Sequence, residues 1–169
     1  MSQTLTVHRV ALVACTKGKR AERSPAQDLY TGDLFAKART YAETFDSWGV
    51  LSAKHGLVSP GEVIEPYNVV LGNTKTGPPI HAWTDGVIAR LLKLHEKRLS
   101  DGEKLHLTLL AGQHYRGVLA FLSRRADWCA GVDEPMRHLG IGQQKAWLLA
   151  QVPPRSIGAD RYEPGRLLL

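Results

Sequence analysis

The fold is decided by one short apolar run, Val10-Ala11-Leu12-Val13-Ala14-Cys15. Six consecutive apolar residues are typical of a strand covered on both faces, as in a parallel sheet. A polar, basic segment follows directly, Thr16-Lys17-Gly18-Lys19-Arg20. A buried strand that ends in charged residues and glycine predicts a loop that presents side chains at the edge of a sheet.

Strand and helix patterns alternate along the rest of the chain. We expect a helix with Thr31 as its N-cap and Asp33 in its first turn, because apolar residues recur at helical spacing up to Phe45. This alternation predicts an α/β fold: a single-domain sandwich with a short, mostly parallel or mixed sheet flanked by helices. The further predicted elements are a strand at 48–52, a long loop at 56–79, a helix from Ile80 to just before Ser100, a strand at 105–110, a helix that carries Tyr115 and Leu119, and a helix at 142–151.

Length and composition predict one globular domain. The chain has 169 residues, 43% of them hydrophobic, and we expect a domain over residues 1–152 and an irregular basic tail at 153–169. Cys15 and Cys129 show no C-x-x-C spacing, so neither a disulfide framework nor a zinc site is expected. We also predict no other metal and no cofactor. No signal peptide and no apolar run of membrane-spanning length is visible, which predicts a cytoplasmic protein without a membrane partner.

The net charge of +6, from 22 basic and 16 acidic residues, favours polyanionic partners. The same excess is common in proteins that bind no anion. Clustered basic residues on helices, at 93–98 and at Arg124-Arg125, are expected on solvated faces. Trp83 and Trp147 are expected in the core.

Ligands of open α/β sheets bind outside the carboxyl ends of the strands. We therefore expect three segments to converge on one rim: residues 15–20, Lys54-His55-Gly56 and Gly112-Gln113-His114-Tyr115. Backbone amides near Gly18 could cradle an anion, although the glycine spacing matches neither Walker A nor the dinucleotide fingerprint.

Each candidate catalytic residue has two possible interpretations. Lys19 and Lys54 are either nucleophilic amines that form a Schiff base with a sugar aldehyde or point charges that bind phosphate. His55 and His114 are either general bases or loop hydrogen-bonding groups. Asp28 either orients such a base or the Lys19 amine, or braces the entry to the helix.

The residues expected to contact a ligand also have alternatives. Cys15 is a buried structural thiol in preference to a nucleophile, and Ser52 is either a ligand contact or a satisfied strand-end hydroxyl. Tyr67 and Tyr115 offer flat faces for stacking a base and hydroxyls for hydrogen bonds, or serve packing alone. The candidate ligand-binding residues are Cys15, Thr16, Lys17, Tyr30, Ser52, Gly56, Gly112, Gln113, His114 and Tyr115, and the candidate catalytic residues are Lys19, Lys54, His55, Tyr67 and Asp28.

Five motifs in order, over roughly residues 8 to 150, resemble the YaaA peroxide-stress family and more closely its shorter bacterial and phage relatives. They are Cys15-Thr16-x-x-Lys19, Asp28-Leu29-Tyr30-Thr31-Gly32, Leu51-Ser52-Ala53-Lys54-His55-Gly56-Leu57-Val58-x-Pro60, Ile64-x-Pro66-Tyr67 and Leu110-Ala111-Gly112-x-x-Tyr115. The resemblance implies an α/β fold with a positively charged cleft, DNA binding connected with oxidative stress, and activity on nucleobases or nucleic acid.

Three hypotheses on function follow. The first is an enzyme that processes a base within nucleic acid, in its sharpest form a lysine-dependent base excision or modification. The second is a non-catalytic DNA-binding stress protein, and the third is an enzyme acting on a free nucleotide or nucleoside. All three predict nucleic acid or a nucleotide-like molecule as the ligand.

Overall fold

Strands and helices alternate over residues 4–152, which the computed structural model describes apart from the side chains of Val118, Phe121 and Leu122. The tail predicted at 153–169 lies outside the described residues. Within the described part, the elements are β1 (Val7–Ala14), β2 (Ser24–Pro25), α1 (Ala26–Leu29), α2 (Asp33–Ala42), β3 (Ser47–Ser52), β4 (Gly56–Val58), β5 (Val63–Ile64), α3 (Ile80–Leu94), α4 (Glu96–Ser100), β6 (Lys104–Leu110), α5 (Gln113–Ser123), β7 (Cys129–Asp133) and α6 (Ile141–Gln151).

The main sheet has five strands in the order β4-β3-β1-β6-β7. Strand β1 lies at its centre and pairs in parallel with both β3 and β6, and β7 pairs in parallel with β6. Strand β4, at the edge beside β3, is antiparallel to it. The predicted α/β fold with a short, mostly parallel sheet flanked by helices is confirmed.

Alternate residues of β1 contribute to two different cores, because successive side chains of a strand point to opposite faces. Val10 and Leu12 pack in one core together with Trp83 of α3, Leu91 of α3 and Leu119 of α5. Helices α3 and α5 therefore cover this face of the sheet.

The opposite face is covered by the other helices. Ala11 and Val13 of β1 share a core with Leu29 of α1, Phe35 of α2 and Leu148 of α6. The continuous apolar run of β1 follows from this burial on both sides.

Several local predictions need correction. The segment predicted as a loop at 56–79 contains the short strands β4 and β5, and strand β7 was not predicted at all. Thr31 is not the N-cap of α2, because Gly32 holds that position. The Thr31 hydroxyl lies beside Gly18 instead: a Cβ atom added to Gly18 would be 2.8 Å from the hydroxyl oxygen.

The two tryptophans expected in the core differ in burial. Trp83 is only 3% exposed, which confirms the prediction. Trp147 is half-buried and packs edge-on against Tyr41, with ring centres 5.5 Å apart. Among the helices of residues 4–152, none combines the length and the apolar character needed to cross a bilayer.

Candidate functional site

The neighbouring strands β1 and β6 send the chain to opposite faces of the sheet. Val13 of β1 lies beside Leu110 of β6, yet β1 leads to α1 and α2 on one face whereas β6 leads to α5 on the other. Such a reversal opens a crevice at the carboxyl ends of the two strands, where open α/β sheets bind their ligands.

The end of β3 lies on the other side of β1. The backbone N–H of Cys15 donates to the carbonyl oxygen of Leu51 at 2.9 Å. The three segments expected to form one rim therefore follow three adjacent strands, β3, β1 and β6.

A chain of hydrogen-bonded hydroxyls begins at the end of β3. The backbone N–H of His55 donates to Ser52 Oγ at 3.0 Å, and the Ser52 hydroxyl donates to the Tyr67 hydroxyl at 2.7 Å. The Tyr67 hydroxyl is also 2.7 Å from that of Tyr30. The indole N–H of Trp83 holds the same strand end, donating to the Ser52 carbonyl at 2.8 Å. Ser52 is thus a satisfied strand-end hydroxyl, and it positions Tyr67.

Burial keeps both tyrosines protonated. Burial raises the pKa of Tyr30 to about 12. The pKa of Tyr67 is raised well above its ordinary value, first by burial and then by the nearby Cys15 and Tyr30 side chains. At neutral pH these phenols act as hydrogen-bonding groups and not as phenolate bases.

The Lys19 amine lies over this tyrosine pair. Its Nζ is 4.5 Å from the centre of the Tyr67 ring and 5.7 Å from that of Tyr30. It also donates to the carbonyl oxygens of Thr16 and Lys17, both at 3.2 Å. These ring faces and carbonyl oxygens hold the Lys19 amine at one place.

The Lys19 backbone is fixed as well. Lys19 forms an antiparallel β-bridge with Tyr30, supported by a 2.8 Å hydrogen bond from the Arg20 N–H to the Leu29 carbonyl. The loop after β1 is therefore tied to the segment that carries Tyr30.

A second polar pair joins the ends of β1 and β6. The thiol of half-buried Cys15 is 3.1 Å from the Tyr115 hydroxyl. The Tyr115 ring meets the Trp83 ring edge-on, 5.5 Å between centres. Burial, and next the Cys15 side chain, raise the pKa of Tyr115 above its ordinary value. Cys15 is thus less buried than its position in the apolar run predicted.

A cavity of about 280 Å³ opens between these two strand ends. This volume is near the lower end of small-molecule pockets. Its walls combine an apolar surface with a few polar groups, as ligand pockets do. The polar or cysteine side chains in the lining come from Cys15, Thr16, His114, Tyr115 and Gln144, and the apolar floor includes Leu34, Phe35, Met136 and Ile141.

Thr16 is packed tightly at the edge of this cavity. Its Oγ1 is buried without a hydrogen-bond partner among the described residues. A Cβ on Gly32 would lie 3.0 Å from that oxygen, so glycine allows the start of α2 to approach the loop after β1.

Two predicted catalytic residues lie near the tyrosines but at the surface. Lys54 and His55 are both exposed in the turn after β3, which continues through Gly56 at φ +74°. The His55 ring meets the Tyr67 ring edge-on at 5.5 Å. Partial burial, and next Lys54, lower the pKa of His55, which favours its neutral form near pH 7.

Asp28 has a bracing position. Its carboxylate pairs with the Arg39 guanidinium of α2 at 2.8 Å, and Arg39 also donates to the Gln27 carbonyl. The contact joins α1 to α2 and supports the bracing interpretation. Among the remaining predicted residues, Lys17, Gly112, Gln113 and His114 lie exposed on the rim.

A second cavity, missed in the sequence, adjoins the first. It encloses about 820 Å³ between α5 and the segment after β7, and both cavities are bordered by Gly112 and Gln144. Arg116 and Arg137 contribute to its wall. Arg116 follows Gly112 by one helical turn, and this spacing could have indicated that Arg116 lies at the rim. Arg137 belongs to no recognisable motif.

Another buried polar chain lies at the opposite end of the sheet. His8 Nε2 is 2.9 Å from Ser47 Oγ, which is 3.1 Å from His95 Nε2. His95 Nδ1 donates to the Leu91 carbonyl at 2.8 Å, so its Nε2 accepts from Ser47 when the ring is neutral. These groups satisfy one another away from the strand ends, and we assign them a structural role.

Comparison with known proteins gives a family and one curated relative. Residues 10–150 match a family described as a family of unknown function, DUF6884. The chain is 35% identical over 119 residues to the uncharacterized protein YfjM of Bacillus subtilis strain 168, covering 66% of this chain and 74% of the relative. No solved structure matches it. The match includes the strand ends, the tyrosine pair and both cavities, and the chain therefore belongs to the DUF6884 family.

Proposed function

We propose that the protein is an enzyme that processes a nucleobase or nucleotide, with the base bound in the cavity between β1 and β6. The observation that carries this proposal is the Lys19 amine, held 4.5 Å from the centre of the Tyr67 ring. The same amine donates to the carbonyl oxygen of Thr16, a residue that lines the cavity. The cavity has a small volume and an apolar floor, which suit one flat heterocycle. The resemblance to the YaaA family supports the same class of ligand.

In its sharpest form the reaction is a lysine-dependent base excision. The Lys19 amine, in its unprotonated form, attacks C1′ of the sugar, the glycosidic bond breaks, and the base leaves with the electron pair of that bond and takes up a proton released by the amine. The C1′–O4′ bond then breaks, O4′ takes up the remaining amine proton, and the nitrogen and C1′ are left joined as an imine, which is the Schiff base expected of a lysine nucleophile. Tyr115 lines the cavity and keeps its proton, so in this proposal its hydroxyl donates a hydrogen bond to the base.

Borohydride trapping tests this chemistry, because reduction converts the imine into a stable covalent adduct. The substrates are single-stranded and duplex oligonucleotides that contain uracil, 8-oxoguanine or an abasic site. We expect an adduct with the wild type and with Lys54→Ala, since Lys54 is exposed in the turn after β3. Lys19→Ala and Lys19→Arg should both lose it, and the arginine variant separates a nucleophile from a phosphate-binding charge.

An adduct that persists in Lys19→Arg would remove Lys19 from the mechanism. No adduct with any of these substrates would count against lyase chemistry as a whole.

The second candidate, an enzyme acting on a free nucleotide or nucleoside, is favoured by the small volume of the first cavity. It predicts that mononucleotides protect Cys15 from alkylation, since this thiol lines the cavity. Protection by an oligonucleotide but by no mononucleotide would exclude it.

A further inference from the structure

We propose that the second cavity is a phosphate pocket, which holds the phosphate of the nucleotide whose base enters the first cavity. This inference rests on the proposed function and adds the charged part of the ligand. The side chains that define the pocket belong to Arg116, Arg124, Arg125, Arg137, His138 and Gln144.

Arg116 is the central observation. Its Nε and Nη1 atoms are buried and have no hydrogen-bond partner among the described residues. A guanidinium stays charged in proteins and presents its donors in a rigid fork that matches phosphate oxygens. Buried donors of this kind are costly unless an acceptor reaches them. Arg116 lines the pocket, so an anionic ligand there supplies the acceptor once the guanidinium turns its donors toward it.

The charge balance of the pocket selects an anion. Glu134 is the one carboxylate among the described residues of its lining. That side chain is nearly buried and pairs with Arg124 at 2.6 Å, so its charge is already compensated. Arg116 and Arg137 add positive charge to the same wall.

The pocket adjoins the proposed base site, because Gly112 and Gln144 border both cavities. We expect one ligand to extend from one cavity into the other. Gln113, the first residue of α5, lines the pocket. The positive end of that helix therefore adds to the arginine charges.

The test measures binding of inorganic phosphate and pyrophosphate by calorimetry, with thermal shift as a second readout. Arg116→Met keeps an apolar stem of similar length and removes the buried charge, so we expect it to fold. Arg98→Met is the matched control, because Arg98 is an exposed arginine on α4 that pairs with Glu103. Arg137→Gln, at an exposed position, is a second variant of the pocket.

We expect the anions to bind the wild type and Arg98→Met alike, and Arg116→Met roughly tenfold or more weakly, as for a lost charge-assisted hydrogen bond. Arg137→Gln should also weaken binding and preserves the test if Arg116→Met does not fold. Equal anion affinity in the wild type and the pocket variants would overturn the inference, as would failure of both anions to bind the wild type.

Nucleosides, their monophosphates and an eight-residue oligothymidylate complete the test. Nucleoside monophosphates that bind more tightly than their nucleosides, with this gain in affinity lost in Arg116→Met, support the phosphate pocket and a free nucleotide as the ligand. Tighter binding of the oligonucleotide than of the monophosphates assigns the phosphate to a nucleic-acid strand. If nucleosides bind but phosphate adds nothing, the phosphate pocket fails and the base site stands. If phosphate binds but no base adds affinity, the proposed function fails and the pocket stands.

Discussion

Replacing Tyr67 by phenylalanine removes the hydroxyl that connects two others. In the wild type this hydroxyl accepts from Ser52 at 2.7 Å and lies 2.7 Å from the Tyr30 hydroxyl. Ser52 is 0% and Tyr30 5% exposed, so neither can turn to bulk water. Each lost hydrogen bond costs about 0.5–1.5 kcal/mol, and buried groups left unpaired cost more. We expect a loss of roughly 2–3 kcal/mol in the free energy of unfolding.

Urea and thermal unfolding measure this loss. At about 2–4 °C per kcal/mol for a chain of this size, Tm should fall by roughly 4–12 °C. Tyr41→Phe is the control: its ring packs edge-on against Phe45 and Trp147, and its hydroxyl has no hydrogen bond to the described residues. Equal stability of Tyr67→Phe and Tyr41→Phe would show that the Tyr67 hydroxyl does not stabilise the fold.

A double variant tests the connection itself. The combined loss in Tyr30→Phe with Tyr67→Phe should be smaller than the sum of the single losses, because both changes remove the same hydrogen bond. Additive losses would mean that the two hydroxyls do not interact. Phenylalanine keeps the ring under the Lys19 amine, so any loss of activity in Tyr67→Phe belongs to the hydroxyl.

Three further predictions concern stability. The pKa of buried His8 is lowered below 6.5, first by burial and then by Arg98 and His95. As the pH falls, His8 therefore takes up its proton in the unfolded chain before it does so in the folded one, and the free energy of unfolding should decrease below pH 6.5. Urea titrations at several pH values should show a smaller decrease for His8→Gln. Gly56→Ala should cost about 1–2 kcal/mol because φ is +74°, whereas Gly61→Ala, with open space around its Cβ, should not show that loss. Asp28→Asn breaks a partly exposed ion pair with Arg39 and should cost at most about 1 kcal/mol; loss of all Lys19 adduct in this variant would contradict its bracing role.

The strand ends were predictable because burial leaves a pattern in the sequence. The run at Val10–Cys15 and the strands at 48–52 and 105–110 are apolar enough to be recognised, and the helices between them predict parallel pairing. The three rim segments were therefore found from the sequence. The pairing of hydroxyls was not, since Tyr30 and Tyr67 are 37 positions apart and no local rule connects them.

Asp28 and Thr31 illustrate a different limit. Each residue type suits both a helix entry and a ligand site, and only the partners decide between them. Asp28 has Arg39 of α2 as its partner. The Thr31 hydroxyl lies toward Gly18 of the preceding loop, so the cap position passes to Gly32.

The arginine-lined pocket was hidden by one missed strand. Strand β7, Cys129–Asp133, is short and only partly buried, so it lacks the apolar run that marked the other strands. Its pairing with β6 brings the following segment, with Glu134 and Arg137, against α5. Without that segment, Arg124 is assigned to a solvated face, as basic residues on helices usually are. In the folded protein, Arg124 pairs with Glu134 of that segment at 2.6 Å and forms part of the pocket wall. The same wall includes Arg116, whose buried Nε and Nη1 donors have no partner among the described residues.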